Sequence, residues 1–242
     1  MSALLLTSCE KTPSDVSGSV KLIKMVNYTI IEKAGGEIYS NGYDMHFTYD
    51  GDKRLTAIEF LESIGNHSEL MSFRYSGSEV WYDYALGSTF KFENGRVVSF
   101  DNEYESQNYF YDAKGMLNQK QYITGNSTYT TVFERYGGDI VKIHNNAGTE
   151  EIIYSDYEDK MNLDLWQFYS SGPLIAEYAI DRSVFKNIGS TKLPLFIRTA
   201  YGDIIELSYE FDSDGYPVTI KSTWKNDHSS DDFITILTVE YN

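Results

Sequence analysis

Side chains able to do chemistry are scattered through this sequence. His46, His67, His144 and His228 fall into no His-Glu-x-x-His or His-x-His spacing, so no metal site is expected from them. Asp50-Gly-Asp52 and Asp212-Ser-Asp214-Gly215 set hard oxygens close together, as calcium loops do. They lack the downstream bidentate Glu and adjoin strand-like segments, so turn chemistry is their expected use. No Gly-x-Ser-x-Gly elbow is present, and the single cysteine lies far from any base. Carboxylate pairs such as Glu103 with Glu105, or Asp156 with Glu158, are unavoidable among 36 acidic residues. Gly35-Gly36 and Gly137-Gly138 read as turns rather than phosphate cradles. No catalytic residue, metal or cofactor is expected, and the chain is read as not an enzyme.

Aromatic surplus is the feature with functional leverage: 21 Tyr, 13 Phe and 3 Trp make up 15% of the chain. Trp81 alternates with Val80 and Tyr82, so one of the two sets points away from the core of a one-sided sheet. An outward indole, with Asp83 beside it and Trp166 in a separate segment, would suit stacking on sugar rings. Trp81, Asp83 and Trp166 are therefore the candidate ligand-binding residues, with a glycan as the candidate partner. The competing use of so many tyrosines is as half-buried sheet surface.

The only cysteine ends the run Leu6-Thr7-Ser8-Cys9, which resembles a bacterial lipobox. Small residues just before the cysteine fit a tight peptidase pocket, Leu6 supplies an apolar anchor, and the Cys9 thiol would carry lipid. Residues 1–8 are read as a signal-peptide remnant, although the apolar run from Ala3 to Leu6 is shorter than the usual ~7–15 residues. Residues 9–19 are then a lipidated tether, polar and interrupted by Pro13 and Gly18. Its ten residues from Glu10 to Ser19 span up to about 33 Å when extended.

The elements that would position these groups repeat themselves. Phe47-Thr-Tyr49-Asp50 through Leu55, Tyr109-Phe-Tyr111-Asp112 through Leu117, and Tyr209-Glu-Phe211-Asp212 through Pro217 share one pattern. Shorter versions begin at Phe73, Phe90 and Phe133. Two aromatics two residues apart lie on one strand face, and Asn94-Gly95 or Asp214-Gly215 allow the positive φ of a tight turn. Tyr75, Phe92, Tyr111, Phe133 and Tyr154 are spaced by 17, 19, 22 and 21 residues, which predicts one hairpin per roughly 20 residues. Period-two alternation continues in Met45/Phe47/Tyr49, Ile205/Leu207/Tyr209/Phe211 and Phe233/Thr235/Leu237/Val239/Tyr241. Residues 156–189 break the rule. Apolar residues there recur at three and four, with Pro173 able to open a helix and Gly189 able to end one. One or two short helices are expected in that insertion.

Residues 20–242 thus read as one all-β domain, an antiparallel up-and-down meander of hairpins curled into a full or partial barrel. At 20 basic and 36 acidic residues the net charge is −16, which disfavours nucleic acid as a partner. The lipobox together with Asp156-Tyr-Glu-Asp-Lys160, Lys192-Leu-Pro194 and Phe211-Asp-Ser-Asp-Gly215-Tyr-Pro217 is similar to a Bacteroides lipoprotein family of unknown function with a porin-like fold. The tyrosine-aspartate hairpins also resemble the repeats of Rhs-type toxin shells. The resemblance implies a barrel at the outer membrane or cell surface, tied to the membrane by lipid, and brings no catalytic residue. A binding or structural module is the leading expectation; a carbohydrate-active enzyme or glycan-binding accessory protein is the alternative. A transmembrane barrel is a third possibility, argued against by strands punctuated about every ten residues and by Glu and Lys on the polar faces.

Overall fold

Aromatic and β-branched residues at every second position give this sheet an apolar face to bury, and one way to bury it is to curl the sheet until it meets itself. In the computed structural model, which describes residues 20–34, 37–62, 68–83, 88–94, 96–161, 190–225 and 232–242, it does so completely. Sixteen antiparallel strands follow one another as nearest neighbours, and β1 (Ile23–Ala34) closes the ring on β16 (Asp232–Tyr241). Between them run β2 (Glu37–Tyr49), β3 (Leu55–Glu62), β4 (Ser68–Ser76), β5 (Glu79–Asp83), β6 (Ser88–Glu93), β7 (Arg96–Asp101) and β8 (Glu105–Tyr111). The second half is β9 (Leu117–Thr124), β10 (Ser127–Tyr136), β11 (Asp139–Asn145), β12 (Gly148–Glu158), β13 (Lys192–Arg198), β14 (Ile204–Phe211) and β15 (Pro217–Lys225). The closing register pairs Tyr28 with Leu237 and Val26 with Val239, partners about 210 residues apart in sequence. The expected choice between full and partial closure is settled in favour of a full barrel, so among the described strands no edge is left to pair with another chain.

The repeat spacing located alternate strands. Tyr75, Phe92, Tyr111, Phe133 and Tyr154 fall on β4, β6, β8, β10 and β12, all running toward the same rim. At this first rim lie residues 50–54, 77–78, 94, 112–116, 137–138 and 212–216, together with the start of β1 and the end of β16. Two expectations need correction. The insertion begins later than residue 156, because backbone pairing with β13 keeps Asp156 and Glu158 in β12. No helix occurs among the described residues, and the helices expected farther along fall in residues 162–189, outside them. Strand length also fails as an argument against membrane spanning, since β1 has 12 residues, β2 has 13 and β12 has 11.

Polarity decides that question instead. A cylinder of sixteen strands ordinarily leaves a water-filled lumen and presents an apolar band outward. Here a large apolar set points inward and packs together: Ile23, Val26, Ile58, Val97, Ile197, Ile205, Ile220 and Leu237 are fully buried in one continuous core, while Leu70, Ile153 and Phe196 are among the apolar residues left exposed. Every strand except β10 contributes to that core, and Phe90 meets Phe100 at a 4.7 Å centroid separation. Such burial requires opposite walls to close on each other. The alternate positions Glu59, Arg74, Lys91, Glu210, Lys221 and Glu240 are exposed on the outer wall. The barrel is inside-out relative to a lipid-embedded one.

Candidate functional site

The first rim is built from a repeated device. Asp50 Oδ1 accepts hydrogen bonds from the amides of Asp52 and Arg54, each at 2.9 Å. Asp112 does the same for Lys114 and Met116, and Asp212 for Asp214 and Tyr216, all at 2.9 Å. In all three turns the fourth residue donates its amide to the aspartate carbonyl and sits at positive φ: Lys53 at 63°, Gly115 at 80° and Gly215 at 78°. The first aspartate of each turn therefore serves the turn, as expected, and the carboxyls of Asp50, Asp112 and Asp212 are held below the usual range. At Asp50 and Asp212 the first cause is the partner cation, Arg54 and Lys21; at Asp112 it is the Met116 amide.

On four even-numbered strands a phenol ties the strand to the one before it. Tyr75 donates to the Leu55 carbonyl at 2.6 Å, Tyr111 to Val97 at 2.8 Å, Tyr209 to Pro194 at 2.6 Å and Tyr241 to Pro217 at 2.7 Å. Arg135 takes this role in β10, donating from Nε to the Leu117 carbonyl at 3.0 Å. In β12, Tyr154 reaches Ser190 Oγ at 2.6 Å, and the same oxygen accepts the Ile140 amide. Part of the tyrosine surplus is thus a set of inward rings with a satisfied hydroxyl, while Tyr104, Tyr129, Tyr136, Tyr157 and Tyr201 are exposed. Burial pushes the Tyr111 phenol up to about 12 and raises Tyr209 and Tyr241 as well.

Between the hairpins β2–β3, β4–β5 and β6–β7 the rim opens into a cleft of about 430 Å³. Arg54, Tyr75, Ser78, Glu79, Phe92 and Asn94 line it, with Val80 and Gly77. Arg54 is fixed there twice over: Nε and Nη2 lie 2.8 and 2.7 Å from Asp50 Oδ2, and the guanidinium stacks 4.7 Å above the Tyr75 ring. No single motif announced this site. Its residues come from three hairpins whose patterns each read as a turn, and only the sheet brings them together.

The expected ligand-binding residues do not converge on the cleft. Val80 is buried and Trp81 is 42% exposed, so the indole stands on the outer wall, paired across the strands with Arg74 and Thr89. Asp83 is placed by its backbone pairing with Ser72. Trp166 and Cys9 lie outside the described residues. One arrangement looks catalytic: His144 Nδ1 is 2.9 Å from Thr149 Oγ1 and Nε2 is 3.4 Å from Glu134 Oε2. It lies flat on the exposed wall, without the concave, water-excluding surroundings that acyl transfer needs.

The ring of sixteen neighbouring strands is what decides the comparison. This chain shares its fold with porin-like proteins. One from Bacteroides uniformis ATCC 8492 has a TM-score of 0.65 at 9% identity, over 91% of this chain and 96% of that one. Another, from Bacteroides vulgatus ATCC 8482, has a TM-score of 0.55 at 12% identity, over 91% and 99%. Identities this low establish the fold alone. No protein-family model and no curated protein matches the sequence.

Proposed function

We propose that this chain is a lipid-anchored module of the bacterial cell envelope, held at the outer membrane or cell surface through Cys9, and that it acts by binding or scaffolding rather than by catalysis. The observation that carries this reading is the inverted polarity of the barrel. A wall bearing Glu59, Arg74, Lys91 and Lys221 is unsuited to hydrocarbon, where a basic residue at the midplane costs about 2–4 kcal/mol. Attachment then falls to lipid on the cysteine that ends Leu6-Thr7-Ser8-Cys9. The porin-like likeness fits an envelope location, and the −16 charge argues against nucleic acid as a partner. The test is fractionation of a bacterial host expressing the protein behind an intact signal sequence. Wild type is expected in the membrane fraction with fatty acid incorporated, and Cys9→Ser in the aqueous fraction. Unchanged membrane association of Cys9→Ser contradicts the anchor.

Exposure of Trp81 favours glycan binding as the second reading. A carbohydrate-active enzyme is less well supported. Glycoside hydrolysis needs two carboxyls flanking the bond, and the cleft lining contains only Glu79.

A further inference from the structure

We infer that the rim cleft between hairpins β2–β3, β4–β5 and β6–β7 binds a neutral sugar ring; the inference rests on the glycan-binding reading and gives it a site other than the Trp81 wall. The cleft's 430 Å³ falls within the ~300–1,000 Å³ of small-molecule sites. Tyr75, Val80 and Phe92 supply apolar surface for the C–H face of a pyranose. Among the described residues, the side chains of Ser78, Glu79 and Asn94 make no hydrogen bond or ion pair, and Arg54 Nη1 makes none either. A hydroxyl both donates and accepts, so a guanidinium, an amide, a carboxylate and an alcohol around one apolar floor match adjacent hydroxyls of a sugar.

Charge selects against the main competitor. Arg54 is the one basic residue lining the cleft, and Asp50, Asp52 and Glu79 surround it. A phosphate or carboxylate ligand would meet net negative charge there and over the whole −16 surface. The site is also rigid before any ligand arrives. Asp50 and the Tyr75 ring hold Arg54, and the Leu55 carbonyl holds Tyr75, so little ordering remains to oppose binding. Glu79 and Trp81 share one face of β5, about 6.7 Å apart at two residues' rise, so a longer glycan leaving the cleft would run onto the indole. The start of β1 lies at the same rim as the cleft.

The test uses the full chain carrying Cys9→Ser, probed on an array of neutral, amino and sulfated oligosaccharides and then by calorimetric titration with the best neutral ligand. Asn94→Gly keeps the positive φ of 53° while removing the amide, and Glu79→Gln removes the charge. Each is expected to weaken binding about tenfold, the loss of a charge-assisted or paired hydrogen bond, with an unchanged urea midpoint. Trp81→Ala is expected to weaken an oligosaccharide several-fold and a monosaccharide not at all. Vesicles bearing a neutral glycolipid, tested beside the free sugars, separate a headgroup from a free glycan; either source supports the cleft when Asn94→Gly abolishes its capture. Binding that survives both cleft variants but is lost in Trp81→Ala overturns the cleft and leaves the glycan reading standing. Binding of no neutral glycan overturns both, and the anchor proposal is untouched.

Discussion

Lys21 Nζ lies 2.7 Å from Asp212 Oδ2, an ion pair between residues 191 apart that pins the chain just before β1 to the turn joining β14 and β15. The same ammonium is 2.6 Å from Asp214 Oδ2 and stacks 5.1 Å from the Tyr216 ring, while the Asn242 amide donates to the Leu22 carbonyl. Both ends of the barrel are thereby fixed at one rim.

The pair predicts a pH dependence. Lys21 holds the Asp212 carboxyl below its ordinary value of about 3.9. A carboxyl depressed in the folded state stabilises above its unfolded pKa and loses that contribution as pH falls through the folded one. Thermal melts should show stability declining below about pH 4, and Asp212→Asn should flatten that acid limb. An acid limb of equal slope in Asp212→Asn would count against the pair.

Alkali tests the phenol ties. The Tyr111 phenol is raised to about 12 by burial, against about 10 in an unfolded chain. Its contribution is complete below pH ~10 and drains away as pH rises toward 12. Absorbance near 295 nm should therefore show a late phase in which the tied tyrosines ionise together with unfolding. Tyr111→Phe removes the hydrogen bond to the Val97 carbonyl and is expected to cost about 1–2 kcal/mol in a urea melt. A loss under about 0.5 kcal/mol would mean that water replaces the hydroxyl.

Lys53 at φ 63° stands where the equivalent turns place Gly115 and Gly215. A side chain in the left-handed region costs roughly 1–2 kcal/mol, part of which glycine gives back through a freer unfolded chain. Lys53→Gly should stabilise the barrel by up to about 1 kcal/mol. Gly115→Ala should do the opposite, because alanine is strained at its φ of 80° and its Cβ would also displace the Arg96 guanidinium. A destabilised Lys53→Gly in equilibrium melts would refute this account of the turn.

Trp81 offers the plainest separation of function from packing. On the outer wall its truncation should move the urea midpoint by less than about 0.5 kcal/mol, whereas a core indole costs ~3–5 kcal/mol. A shift of the larger size would remove Trp81 as a binding platform.

Local patterns made the hairpins legible, because each needs only an aromatic pair, an aspartate and a residue tolerant of positive φ within nine positions, as from Tyr109 to Leu117. They also assigned the faces: Met45 and Phe47 point in, as alternation required. Closure was not legible, since the pairing of Tyr28 with Leu237 depends on the curvature accumulated over fourteen intervening strands. The cleft was hidden for a related reason. Arg54, Glu79 and Asn94 are each ordinary turn neighbours until the sheet sets three hairpins side by side. Strand length misled as well, because the turns that punctuate the sequence do not shorten β1, β2 or β12.

The inside-out polarity is tested most directly by mixing the purified full chain carrying Cys9→Ser with preformed phospholipid vesicles in buffer without detergent, followed by flotation and bilayer conductance. The account predicts a monodisperse protein that stays with the aqueous phase and opens no channel. Co-flotation with the vesicles, a requirement for detergent, or stepwise conductance would contradict it.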